Sequence, residues 1–162
     1  MRVEIYKASL ICGGTRFSEE TKVVNSVPVS VPVSQVITAR AEPGMTVSID
    51  LRQVKIPYPF ELGSAKGLAS VVSGWQCKKT PTGHVLVLYY YCPQDLREDV
   101  PAALCSFTRE WLRYVALNGS LLDRGFSFDD IRYDALRAKL GYHDKPPDQA
   151  TDDDGHFIDF FR

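Results

Sequence analysis

The sequence predicts an α+β fold: an N-terminal antiparallel sheet of about five or six strands, then two amphipathic helices packed on one face of it. Three observations carry this. Residues 1–93 alternate apolar and polar side chains between turn-forming clusters. From Val100 onward the apolar spacing lengthens to that of a helix. The chain has 162 residues, 44% of them hydrophobic and 24% charged, enough for one core. The alternative architecture is a β-sandwich or barrel with appended helices. Residues 1–143 read as one domain, β-rich over 1–93 and helical over 94–143, followed by an acidic tail over 144–162.

The first run, Arg2–Cys12, has apolar residues at Val3 and Ile5 and then at Tyr6, Ala8, Leu10 and Cys12. The phase slips by one near Tyr6, which predicts a bulge or burial on both faces. Gly13-Gly14-Thr15 ends the strand. Val27–Val33 alternates cleanly, but Pro28 and Pro32 remove two donors from the same edge. It reads as an edge strand or an extended polyproline-type arm. Pro43-Gly44 then fits the centre of a type II turn, and Met45, Val47, Ile49 and Leu51 form a strand with one wet face. Leu62–Val72 fits a short helix weakened by Gly63 and Gly67, or a loop leading into a strand at Val71.

Val71–Lys79 and His84–Cys92 predict a hairpin around Thr80-Pro81-Thr82-Gly83. With Lys79 opposite His84, Cys77 faces Leu86 and Trp75 faces Leu88. Val85–Tyr91 is apolar on both faces and predicts the central, most buried strand. Val100, Leu104, Phe107, Trp111, Tyr114 and Val115 make the stripe of the first helix, with Asp99 and Pro101 at its start and Asn118-Gly119 at its end. The second helix starts at Ser127. Phe128, Ile131, Ala135, Leu136 and Leu140 make its stripe, and Gly141 ends it. Burial is expected for Leu104, Phe107, Trp111, Ile131 and Leu136.

The four cysteines, Cys12, Cys77, Cys92 and Cys105, form no CxxC pair and have no histidine at ligand spacing. Free buried thiols in a reducing cytosol are the plain reading. Two disulfides in any of three connectivities are the other. Met1-Arg2-Val3-Glu4 leads into no long apolar stretch, and the longest apolar run, Val85–Cys92, is far short of the roughly 20 residues of a membrane span. No signal peptide and a cytoplasmic location without membrane attachment are the expectation.

Chemical motifs are sparse. Gly13-Gly14 lacks the Lys-Ser or Lys-Thr of a phosphate loop, and no GxGxxG occurs, so no nucleotide cofactor is expected. His84, His143, His156 and Asp152-Asp153-Asp154 lack the spacing of a metal site, so no metal is expected. Cys92 ends the central strand, where a nucleophile would fit. His84 lies about 26 Å away along that strand, leaving His143 as its base. Glu19, Glu20, Asp129, Asp130 and Asp134 are the carboxylates available for acid–base work, although Asp129 and Asp130 also suit the first turn of a helix. A small hydrolase or transferase on Cys92 or on these carboxylates is one minor reading.

Charge separates along the chain: ten Lys/Arg against six Asp/Glu over residues 1–93, and two against six over 144–162. The basic half supplies a second reading, a single-stranded nucleic-acid or RNA-binding module. Lys78 and Lys79 would meet phosphates, and Trp75, Tyr89, Tyr90 and Tyr91 would stack on bases. The tail ends in Phe157-Ile158-Asp159-Phe160-Phe161. It resembles a sliding-clamp-binding peptide, an apolar residue followed by two spacers and two aromatics, with Asp154 where that motif opens on glutamine. It also resembles the acidic tail of bacterial single-stranded-DNA-binding proteins, but closes on Arg162 instead of Phe. Both resemblances imply docking on a protein. As a helical turn, the segment puts Phe157 and Phe161 on one side with Phe160 adjacent; if extended, it splits Ile158 and Phe160 from Phe157 and Phe161 and suits addition to an open sheet edge. The leading expectation is thus a non-enzymatic protein-binding or assembly subunit of the kind found in viruses and phages. It would dock through Phe157, Ile158, Phe160 and Phe161 onto its own body, a second copy or a separate protein.

Overall fold

The computed structural model describes residues 2–26, 29–41, 43–56, 66–91, 111–123, 126–127, 131–141 and 158–160. The chain opens on a long hairpin of β1 (Arg2–Cys12) and β2 (Thr15–Ser26), joined at Gly13-Gly14. Both glycines have positive φ, 56° and 83°, as a two-residue turn matching the strand twist requires. The register runs from Arg2 opposite Asn25 to Cys12 opposite Thr15 without a shift. The bulge expected near Tyr6 is therefore absent. The strand keeps one phase throughout: Glu4, Tyr6, Ala8, Leu10 and Cys12 face inward, and Val3, Ile5 and Ile11 stand on the outer face, exposed.

β3 (Val29–Ala41) pairs antiparallel with β2 and carries a register shift opposite Lys22/Val23, where Pro32 meets Val23. Proline has no N–H to give, so an irregular ladder there is the expected local outcome. After the Pro43-Gly44 bend, β4 (Thr46–Ser48) pairs with Thr38–Arg40. It is shorter than the alternation of Met45–Leu51 suggested, yet Ile49 and Leu51 remain buried and the Ile49 N–H donates to the Ile37 carbonyl at 2.9 Å. The first sheet has the order β1-β2-β3-β4. β5 (Lys55–Ile56) and β6 (Gly67–Leu68) form a small separate pair.

β7 (Val71–Thr80) and β8 (Gly83–Tyr91) form the expected hairpin in the expected register, Lys79 opposite His84, Cys77 opposite Leu86 and Trp75 opposite Leu88. β8 is central in the second sheet, which adds β9 (Trp111–Val115), β10 (Phe126–Ser127) and β11 (Ile158–Asp159) in the order β10-β9-β8-β7-β11. Here the two-helix expectation fails. Trp111–Val115 is a strand on β8, not the end of a helix begun near Val100. A strand covered on both faces has its backbone N–H and C=O groups out of water at both edges, so it needs a strand on each side to satisfy them, and Trp111–Val115 supplies the second. Residues 92–110, with Leu104, Cys105 and Phe107, lie outside the described residues. The second helix exists but is shorter: α1 spans Ile131–Leu140, and Ser127 lies in β10.

The architecture is a sandwich of two antiparallel sheets with one described helix on the outer face of the second, closer to the alternative than to the α+β layout. Between the sheets, Phe17, Ile37 and Leu51 meet Val72, Trp75 and Leu88. On the far side of the second sheet, Tyr133 is buried against Leu112 and Tyr114, with Leu136 and Leu140 beside it. Tyr133 also hydrogen-bonds through its hydroxyl to the Leu112 carbonyl. A disulfide between Cys12 and Cys77, with Cα atoms 5.6 Å apart, ties one sheet to the other. The free-thiol reading is thus corrected for this pair: each cysteine ends the inward phase of its strand, and the two strands cross there. Cys92 lies outside the described residues, as Cys105 does.

Candidate functional site

The aromatic tail is placed first. Ile158 and Asp159 add antiparallel to the outer edge of β7, opposite Trp75 and Gly74. The Phe160 N–H donates to the Ser73 carbonyl at 2.9 Å, and its ring meets that of Trp75 edge-on, centroids 4.9 Å apart at 88°. Phe160 is buried in the inter-sheet core. Of the two forms the sequence leaves open, a helical turn and an extended strand, residues 158–159 take the extended one, and the receiver is the chain's own second sheet. Phe157 and Phe161 lie outside the described residues. One step along the same strand, the Gln35 side chain serves as a short strand substitute. Its Nε2 donates to the Val72 carbonyl at 2.7 Å, and its Oε1 accepts the Val72 N–H at 2.8 Å.

The candidate nucleic-acid residues do not gather on one exposed face. Trp75 is wholly buried beneath Phe160. Lys78 points to the opposite side of β7 and is only 6% exposed, while Lys79 is exposed. Tyr90 is buried, its hydroxyl donating to the Leu51 carbonyl at 3.0 Å, and the Arg113 guanidinium lies 5.8 Å from its ring centroid. Burial pushes the Tyr90 phenol above its ordinary pKa. Tyr89 is half-buried and donates to Gln76 Oε1 at 2.9 Å, which leaves Tyr91 as the exposed tyrosine of the three. Strand alternation explains this. Successive residues face opposite sides, and both sides of the second sheet are covered, by the first sheet and by α1.

The carboxylates are likewise separated. Glu20 is on the outer face with Lys7 at 3.6 Å, and Asp134 pairs with Arg137 at 3.1 Å on the helix surface. Glu19 points inward and is buried. It accepts a hydrogen bond from the Thr21 hydroxyl, which in turn accepts one from Gln35 Nε2 at 2.9 Å. Gln53 Nε2 donates to Gln35 Oε1 at 2.7 Å and extends the chain of bonds. Burial raises the Glu19 pKa, and the bonds from Thr21 and Gln35 hold it back only in part. Thr21 is fully buried and Glu19 nearly so, and the pair lies in the inter-sheet space. His84 sits half-buried at the second hairpin, close against Gly13. His143, His156, Asp129, Asp130 and Asp152–Asp154 lie outside the described residues, and among those that are described no three His, Cys, Asp or Glu gather to hold a metal.

The feature that sequence reasoning missed is the outside of the first sheet. Val3 is 61% exposed, Ile5 51% and Ile11 61%, all on one face of β1, with Val24 opposite Val3. Beside them a shallow groove of about 620 Å³ runs between Lys7, Ser9, Ser18, Glu20, Val36 and Thr38. β1 is also the first strand of its sheet. A two-residue turn makes Cys12 and Thr15 a hydrogen-bonded pair, so the even positions of β1 bond to β2. The N–H and C=O groups of Val3, Ile5, Lys7, Ser9 and Ile11 then point away from the sheet, and no described residue pairs with them. Eleven residues without proline, glycine or bulge form a long edge on which Arg2, Glu4 and Lys7 are the charged positions. The signal was in the sequence as the apparent slip at Tyr6, which is in fact an apolar outer face.

No protein-family model, curated protein or solved structure matches the chain.

Proposed function

We propose that the chain is a non-enzymatic protein-binding or assembly subunit whose contact surface is the open edge and apolar outer face of β1. One observation carries this reading. Val3, Ile5 and Ile11 stand in water beside a row of backbone donors and acceptors that no described strand takes up. A natural sheet ordinarily blunts such an edge with proline, a bulge or a covering strand or loop as well as charge, and among the described residues β1 has charge alone. Strand addition supplies what the edge lacks, main-chain bonds for affinity and apolar side chains for specificity. The tail closes the second sheet in this reading, and the first sheet meets the partner.

The Cys12–Cys77 disulfide favours an oxidising compartment over the reducing cytoplasm. None of the described helices is long and apolar enough to cross a membrane. A photo-cross-linking residue at Ser9, on the open edge, tests the reading against one at Lys139 on the exposed side of α1. Protein adducts at Ser9 that Ile5→Lys/Ile11→Lys abolishes are expected. Equal capture from both sites, or capture indifferent to the lysines, would overturn it.

A further inference from the structure

We propose that the occupant of this edge is a second copy of the chain, its β1 antiparallel to the first across a two-fold axis at Ala8. The inference rests on the assembly reading and names its partner. The argument is the symmetry of the strand about that residue. Ile5 and Ile11 stand three places to either side of Ala8, Tyr6 and Leu10 two places, and Lys7 and Ser9 one. Opposed on this axis, two copies set Ile5 against Ile11 twice on the outer face and Tyr6 against Leu10 twice on the inner one. Ala8 and Leu10 are only half-buried against the inter-sheet core, and Tyr6 is half-buried on the same face with its hydroxyl donating to Glu4 at 2.8 Å, so pairing extends the covered face across the joint.

The outward groups of Ile5, Lys7, Ser9 and Ile11 then form about eight inter-strand hydrogen bonds. Other registers that keep the outward groups facing each other are worse. An axis at Lys7 sets two ammonium groups face to face. An axis at Tyr6 sets Lys7 against Ile5 and one at Ser9 sets Lys7 against Ile11, while axes at Ile5 and Leu10 pair a shorter stretch. A two-fold contact between identical edges also closes on itself, so the open edges are consumed and no fibre grows.

The test uses the full chain. At the axis, Ala8 faces Ala8 in a non-hydrogen-bonded pair with Cα atoms about 4.5 Å apart, within disulfide reach. Ala8→Cys should therefore cross-link two chains under oxidation, mapped by mass spectrometry, and Lys7→Cys should not. The unmodified chain should sediment as a concentration-dependent dimer. Ser9→Pro removes one outward donor per copy and no bond to β2, so it should shift the chain to a folded monomer whose melting temperature no longer depends on concentration. A chain monomeric at every accessible concentration would overturn the inference, and the Ser9 photo-adducts would show whether a foreign strand keeps the assembly reading alive. A dimer that survives Ser9→Pro, or that cross-links through Lys7→Cys and not Ala8→Cys, would overturn it as well.

Discussion

Phe160→Ala measures how firmly the tail holds the second sheet. Burial of the ring contributes about 1.5–3 kcal/mol. The edge-on contact with Trp75 adds about 0.5–1.5 kcal/mol, and the bond from the Phe160 N–H to Ser73 adds about as much again. Against this, fixing the backbone of residues 158–160 costs about 1–2 kcal/mol per residue. The two sides nearly cancel, so the docked segment is stable by at most about 3 kcal/mol, most of it from one ring. Without that ring the segment detaches, and the loss stops at the net docking energy. We expect about 1–3 kcal/mol, below the roughly 3–5 kcal/mol of a Phe→Ala change in a core that cannot let go. In a chain of this length that lowers the melting temperature by about 3–10 °C. Detachment uncovers Trp75, so acrylamide quenching of tryptophan fluorescence should rise before any unfolding. A melting temperature within about 1 °C of the parent, with quenching unchanged, would refute the placement of Phe160 in the core.

Glu19→Gln should change the pH dependence of stability. Because burial raises the carboxyl pKa in the folded state, the native chain holds this proton more tightly than the unfolded one. The contribution is full below the ordinary carboxyl pKa and is lost as pH rises through the raised value. Urea midpoints should therefore fall less from pH 4 to pH 8 in the variant, and a slope equal to the parent's would refute the assignment. Cys12→Ala/Cys77→Ala opens a loop with a sequence separation of 65 residues and should lower stability by about 4 kcal/mol on the chain-entropy estimate; a loss under 1 kcal/mol would contradict that estimate, and a thiol titration of the unmodified chain that found Cys12 and Cys77 reduced would contradict the bond. Gly13→Ala should cost more than Gly14→Ala, since both have positive φ but only Gly13 has its Cβ position crowded, 2.7 Å from Leu117 Cδ1 and 3.1 Å from His84 Cβ. Equal melting temperatures in the two alanine variants would contradict the turn as described.

What was legible in the sequence was local. The hairpin of β7 and β8 could be aligned residue by residue, because a short turn fixes the register and the alternation on either side agrees with it. The end of α1 at Gly141, which has a φ of 68°, was marked by the one residue that adopts that conformation easily. What was not legible depended on distant neighbours. Trp111–Val115 fits a helical stripe as well as a strand, and only the need of β8 for a second neighbour decides between them. Trp75 and Lys78 looked like a binding pair until the tail covered one and the opposite face took in the other. The outer face of β1 misled in the opposite direction, since isoleucines and valines were read as core where they face solvent.

The seat of β11 also dictates an order of events. Phe160 and Trp75 are far apart in the chain, and the strand that receives the tail is complete long before residue 158 is made. The β7–β8 hairpin forms from neighbours in microseconds, whereas closing a loop this long is an entropic search left to the end. The newly made chain therefore exposes Trp75 and the outer edge of β7 as a temporary sticky surface. The disulfide partner Cys12 is already available at that stage, so the covalent tie between the sheets can be set before the last strand arrives. Refolding followed through tryptophan should show a separate phase for the burial of Trp75 by the tail, and that phase should vanish in Phe160→Ala while the hairpin phases persist.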